Sequence, residues 1–211
     1  MSVAASLITR LGASADQWFH RVRAASLGAI PCRQGCCRCC IGPFVITMAD
    51  ALSLRRGLAA LDATVRTDIE SRAVTQADRL TQAEPRLGTT PYLDEWDDRA
   101  IDRVAELFSE EACPALGPDG SCRAYPFRPI ACRTMGAPVE SDGVVAGACD
   151  VQTFVPITRL SAALRTQEQN LSAEEAEVVH ALRQAGGTPG EDLFLPFGFL
   201  PEMPSARFVD S

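Results

Sequence analysis

The 211 residues, 46% apolar and 22% charged, are enough for one ordinary globular domain with its own core and few for two. A formal charge of -7, from 20 basic and 27 acidic residues, argues against a nucleic-acid or anionic-membrane footprint. Every basic residue is arginine, which excludes lysine Schiff-base chemistry and a lysine general base.

No run of ~18 apolar residues occurs, and the first ten residues lack the basic leader and apolar stretch of a signal peptide. The expectation is therefore a cytoplasmic protein without a membrane partner. Leu7, Leu11, Ala15, Trp18 or Phe19, and Val22 recur at helical spacing, which predicts a helix over 4–26, broken near Gly12. Thr47 to Asp50 resembles a capping box and opens a helix through Leu52, Leu58 and Leu61; another follows along Val65, Ile69, Ala73 and Leu80. A further helix is expected from Asp94 to Glu110. Residues 113–149 are rich in Pro and Gly and should form loops, with at most a small hairpin at Gly143–Ala146. Two more helices are expected, one near Pro156 to Gln167 and one from Ser172, with Glu175 as its box partner, to Gly186–Gly187. The apolar tail 193–201 carries two prolines; it reads as neither helix nor regular strand and should lie across the domain surface. The fold class is thus mainly α, one domain over 1–211: an N-terminal helix, a cysteine-rich core over 32–149 and C-terminal helices over 150–211.

The cysteines are the strongest signal. Cys32, Cys36, Cys37, Cys39 and Cys40 fall within nine residues, and Cys113, Cys122, Cys132 and Cys149 follow after a gap of 72 residues. A disulfide framework fits poorly: the count is odd, the expected compartment is reducing, and the vicinal pairs 36–37 and 39–40 would close strained rings. Core thiols fit no better beside Arg33 and Arg38. Metal ligation suits the spacing, because soft thiolates must converge within ~2.3 Å of an ion and short loops deliver them. Neither His20 nor His180 lies near a cluster, so the site should be all-thiolate, holding zinc, an iron–sulfur cluster or, less favourably, Cu(I). Both histidines read as ordinary helix-face residues. Thiolates around a metal leave a negative centre that needs nearby cations, and Arg33, Arg38, Arg123, Arg128 and Arg133 all fall beside or between the cysteines. Bringing the two clusters together across their gap would cost about 4 kcal/mol plus a constant by chain closure alone, so helical hairpins should pre-align them.

The strings Cys32-Arg-Gln-Gly-Cys36-Cys-Arg-Cys39-Cys40, Cys113-Pro-Ala-Leu and Cys122-Arg-Ala-Tyr125-Pro-Phe-Arg128-Pro129-Ile-Ala-Cys132-Arg133 resemble the YkgJ-type cysteine-cluster family, a CxxCxxCC zinc- or iron-chelating domain. The resemblance spans residues 32–133. It implies that Cys32, Cys36, Cys39, Cys40, Cys113, Cys122 and Cys132 are motif positions, with Cys149 a further ligand candidate and Cys37 an extra. It also implies a bound metal or iron–sulfur centre; the leading expectation is an iron–sulfur cluster of the [4Fe-4S] kind or zinc as a structural or redox centre, the contiguous cysteine run and Cys113-Pro114 favouring the cluster. Flagellin lysine N-methylases look similar around the cysteines, so a cluster-dependent protein-modifying enzyme of methyl-transfer type, with a protein partner, is one alternative. A zinc- or copper-handling protein is the other. No Gly-rich nucleotide loop is present. Tyr125, Arg128 and Arg133 stand between or beside ligand candidates, where they could donate to cluster sulfurs or hold the loop onto the helices.

Overall fold

Helix-forming periodicity dominates the chain, and the fold is mainly helical. The computed structural model describes residues 3–27, 29–30, 32–141, 144–146, 159–186 and 190–200. Helix α1, Val3–Ala25, buries one stripe of Ile8, Leu11, Ala15, Trp18 and Val22. The stripe packs against α6, Ala162–Gly186, through Leu164, Leu171, Val178 and Val179, and the Trp18 indole donates to the Leu164 carbonyl at 3.0 Å. α1 runs unbroken through Gly12, contrary to the expected break. A side chain there would press on Arg133, whose Cζ lies 3.2 Å from the position a Cβ would take. The glycine makes room for a guanidinium and does not end the helix.

Strand β1, Val45–Thr47, leads into α2, Met48–Ala60. The Thr47 hydroxyl caps α2 by accepting from the Asp50 N–H at 3.4 Å, as the sequence indicates. It also donates to Glu175 of α6 at 3.1 Å. Helix α3, Ala63–Ala83, starts at Asp62, whose carboxylate accepts from the Thr64 N–H at 2.9 Å. Helix α4, Asp98–Leu107, is shorter than the expected 94–110 span. Asp97 takes the cap by accepting from the Ala100 N–H, while Asp94 is occupied by the Glu191 N–H at 2.8 Å. After a 3-10 turn at Tyr125–Phe127, the short α5, Ile130–Thr134, interrupts a segment expected to be loop. Strands β2, Val139–Ser141, and β3, Val144–Ala146, then form the small antiparallel hairpin.

Two expectations fail in the last quarter. The pair of helices is one continuous α6 from Ala162; an earlier start near Pro156 lies outside the described residues. Ser172 does not cap, because its hydroxyl donates within the helix to the Glu168 carbonyl at 3.2 Å and Glu175 is engaged by Thr47. The apolar tail forms strand β4, Asp192–Phe194, antiparallel to β1 with Val45 opposite Phe194 and Thr47 opposite Asp192, and then α7, Leu195–Gly198. It lies inside the main core: Leu193, Phe194, Leu195, Phe197 and Phe199 are buried among Ile46, Leu54, Ile69 and Leu80. A strand buried on both faces needs an unbroken apolar run, and Pro196 sits in the first turn of α7, where no N–H is missed.

Candidate metal centre

The first cysteine loop leaves Ile30 and folds through two tight turns, in which Cys36 N–H donates to Arg33 O and Cys40 N–H to Cys37 O, both at 2.9 Å. Main-chain bonds then join it to the second cluster. Cys113 N–H donates to Cys40 O at 2.7 Å and Gly42 N–H to Glu111 O at 2.6 Å, around an antiparallel bridge between Ile41 and Ala112. A second bridge, Leu116 with Cys122, folds the 113–123 segment back so that Cys122 returns beside Cys113. α5 supplies Cys132. The 72-residue gap is closed by α2, α3 and α4, the helical scaffold the chain-closure argument requires.

These segments surround one cavity of about 140 Å³. Its wall carries seven thiols, Cys32, Cys36, Cys39, Cys40, Cys113, Cys122 and Cys132, and its floor is Phe44, Leu54, Leu195 and Phe199. Cys37 is outside, near Gly120 of the opposite loop. Cys149 lies outside the described residues. The eight described cysteines are free of disulfides. The seven thiols line the wall without closing on one point: among the described residues, no three Cys, His, Asp or Glu side chains are set for a single ion.

Packing thiols together away from water opposes their ionisation. Burial, reinforced by the Cys122 charge, pushes Cys113 up to about 12, and burial likewise raises Cys122 and Cys132, Cys132 the most strongly. Cys39 and Cys40 behave as a pair. The Cys40 thiol hydrogen-bonds Cys39, which draws Cys39 down to about 7 and drives Cys40 up. A soft cation reverses this balance, since it replaces the protons and neutralises several thiolates at once. Donor type, number and burial therefore fit a thiolate-bound metal or cluster.

Three charged side chains clamp the wall. Arg128 Nη2 donates to Asp16 Oδ1 at 2.6 Å and Arg133 Nη1 to Asp16 Oδ2 at 2.5 Å, so one carboxylate on α1 holds Arg128, between Cys122 and Cys132, together with Arg133, which follows Cys132 on α5. Arg133 also donates to the Arg128 and Pro126 carbonyls at 2.9 and 2.6 Å. Arg128 stacks over the Tyr125 ring, its Cζ 3.9 Å from the centroid, and donates to the Tyr125 carbonyl at 3.0 Å. These bonds anchor the loop, while the same three residues also line the cavity. Arg123 ties the folded-back 113–123 segment to α3 by meeting Asp68 at 2.7 Å. Arg33 and Arg38 are exposed.

The sequence reading missed Asp16 and Arg23 and set His20 aside, yet all three line the cavity from α1. Their spacing of four and three residues places them on one helix face, and that pattern just before a cysteine loop was the available signal. His180 is exposed on α6, the surface position expected of it.

A family model described as CxxCxxCC, putative zinc- or iron-chelating domain, matches residues 31–150, more than half of the chain. Neither the curated proteins nor the solved structures give a match.

Proposed function

The chain belongs to the CxxCxxCC zinc- or iron-chelating family, and from that premise we propose that the seven cavity cysteines supply the ligands of an iron–sulfur centre. The observation that carries the reading is the sorting of the cysteines: all seven positions of the family motif line one cavity and the extra Cys37 does not. The cavity volume supports a cluster over a bare ion, because about 140 Å³ is many times the ~10–15 Å³ that one water-sized occupant needs. Cys149, within the matched span, is a candidate for an eighth ligand.

Such a cluster would supply one-electron redox chemistry or a structural cross-link. The apolar floor would give it a low-polarity side, and the Asp16–Arg128–Arg133 clamp fixes the spacing between Cys122 and Cys132. Cys39→Ser and Cys132→Ser should each abolish iron binding and lower stability, while Cys37→Ser should keep full metal content. Metal analysis of the three purified variants checks this. Equal loss from all three would defeat the ligand assignment.

A further inference from the structure

The cavity opens to solvent past a rim that metal binding does not use. Phe19, His20 and Arg23 line it from the second half of α1 and Arg33 from the cysteine loop, with His20 and Arg33 exposed and Phe19 and Arg23 half-buried. Among the described residues lining the cavity, Asp16 is the one acid, against Arg23, Arg33, Arg128 and Arg133. Both Asp16 oxygens are already held, by Arg128 and Arg133. Arg23 and Arg33 have no acidic partner among the described residues, so beyond the thiolates no carboxylate occupies these two guanidiniums in a chain of net charge -7. Diffuse neutralisation of a thiolate centre would not require them to face the opening. Arg38, equally close to the cysteines in sequence, does not line the cavity.

We propose that this rim recognises a small organic anion of the carboxylate or phosphate class, its oxygens held by Arg23 and Arg33. Guanidinium forks suit both oxyanions, and Phe19 offers the ligand an apolar wall beside the charged end. The inference rests on the reading of the cavity as a metal centre and adds the class of molecule that reaches it.

The test is calorimetric titration of the protein, purified without air, with malonate and with inorganic phosphate at low ionic strength, neutral malonamide serving as control. Saturable one-site binding of at least one anion is expected, and the better of the two identifies the oxyanion source. Arg23→Gln and Arg33→Gln should each weaken binding about tenfold. Arg38→Gln should leave it unchanged. Arg23→Gln decides the matter if Arg33→Gln, next to Cys32, loses metal. The inference is overturned if metal-loaded protein binds neither anion, if Arg38→Gln weakens binding as much as Arg23→Gln, or if only a poly-glutamate peptide binds, which would make the rim a protein-docking face. Protein purified without any metal would instead defeat the underlying reading.

Discussion

Asp16 holds two guanidiniums with one carboxylate, and each of those guanidiniums belongs to the loop that carries Cys122 and Cys132. Removing one partner of a largely buried pair strands the other charge, a cost of ~3–5 kcal/mol when burial is complete. Asp16 is 34% exposed, so solvent screening reduces it. Asp16→Asn should therefore cost about 2 kcal/mol in urea unfolding of metal-free protein and speed metal release to a chelator. Unchanged stability and release would show that the clamp does not set the wall. Asp50 makes a second prediction. Its carboxylate accepts from Ile130 N–H at 2.8 Å and is buried, and desolvation, followed by the Glu175 charge, pushes it up to about 7. A carboxyl raised on folding contributes stability that is fully present below its unfolded value near ~4 and is lost as pH rises through about 7. Wild-type stability should consequently fall from about pH 4 to about pH 7 and level off above that, and Asp50→Asn, which keeps the acceptor oxygen, should flatten that fall. Parallel pH–stability curves for the two proteins would contradict the assignment.

At the scale of elements, α2 meets the Tyr125–Phe127 turn at Gly57, where a Cβ would lie 2.5 Å from the Phe127 Cγ. Alanine is favoured over glycine inside a helix by about 1 kcal/mol. Here overpacking should outweigh that, making Gly57→Ala destabilising by ~1–3 kcal/mol in thermal or chemical unfolding. A stabilised variant would mean that the turn moves freely. The same contacts show what the sequence could express. Local signals such as the Thr47 cap, the α3 periodicity and the β2–β3 hairpin were legible because their partners lie within a few residues. Gly12 was misread because its reason, Arg133, lies 121 residues away. The start of α4 and the expected helix start at Ser172 within α6 were misplaced because Asp94 and Ser172 spend their polar groups elsewhere than on caps. The 193–201 tail was assigned to the surface because its two prolines hid a strand that only β1 can complete. Among the site residues, the cysteines declared themselves by spacing, whereas the spacing of Asp16 from His20 and Arg23 shows only a shared helix face and not its ion pairs with Arg128 and Arg133, more than a hundred residues away.

Across the whole molecule, two cysteine loops, the α1 face and α5 close on one apolar-floored cavity, with the remaining helices holding them in place. Among the described residues, no helix is long and apolar enough to cross a membrane. Because thiols pressed together in that cavity resist ionisation, the assembled wall should be more stable with metal than without it, and chelation should lower the unfolding midpoint. The most direct test is quantification of iron, zinc and acid-labile sulfide in wild-type protein purified without air, together with its visible spectrum. Iron and sulfide in stoichiometric amounts, with a broad band near ~400 nm, are the predicted result. Zinc without iron or sulfide would contradict the cluster, and protein free of both metals would contradict the metal centre itself.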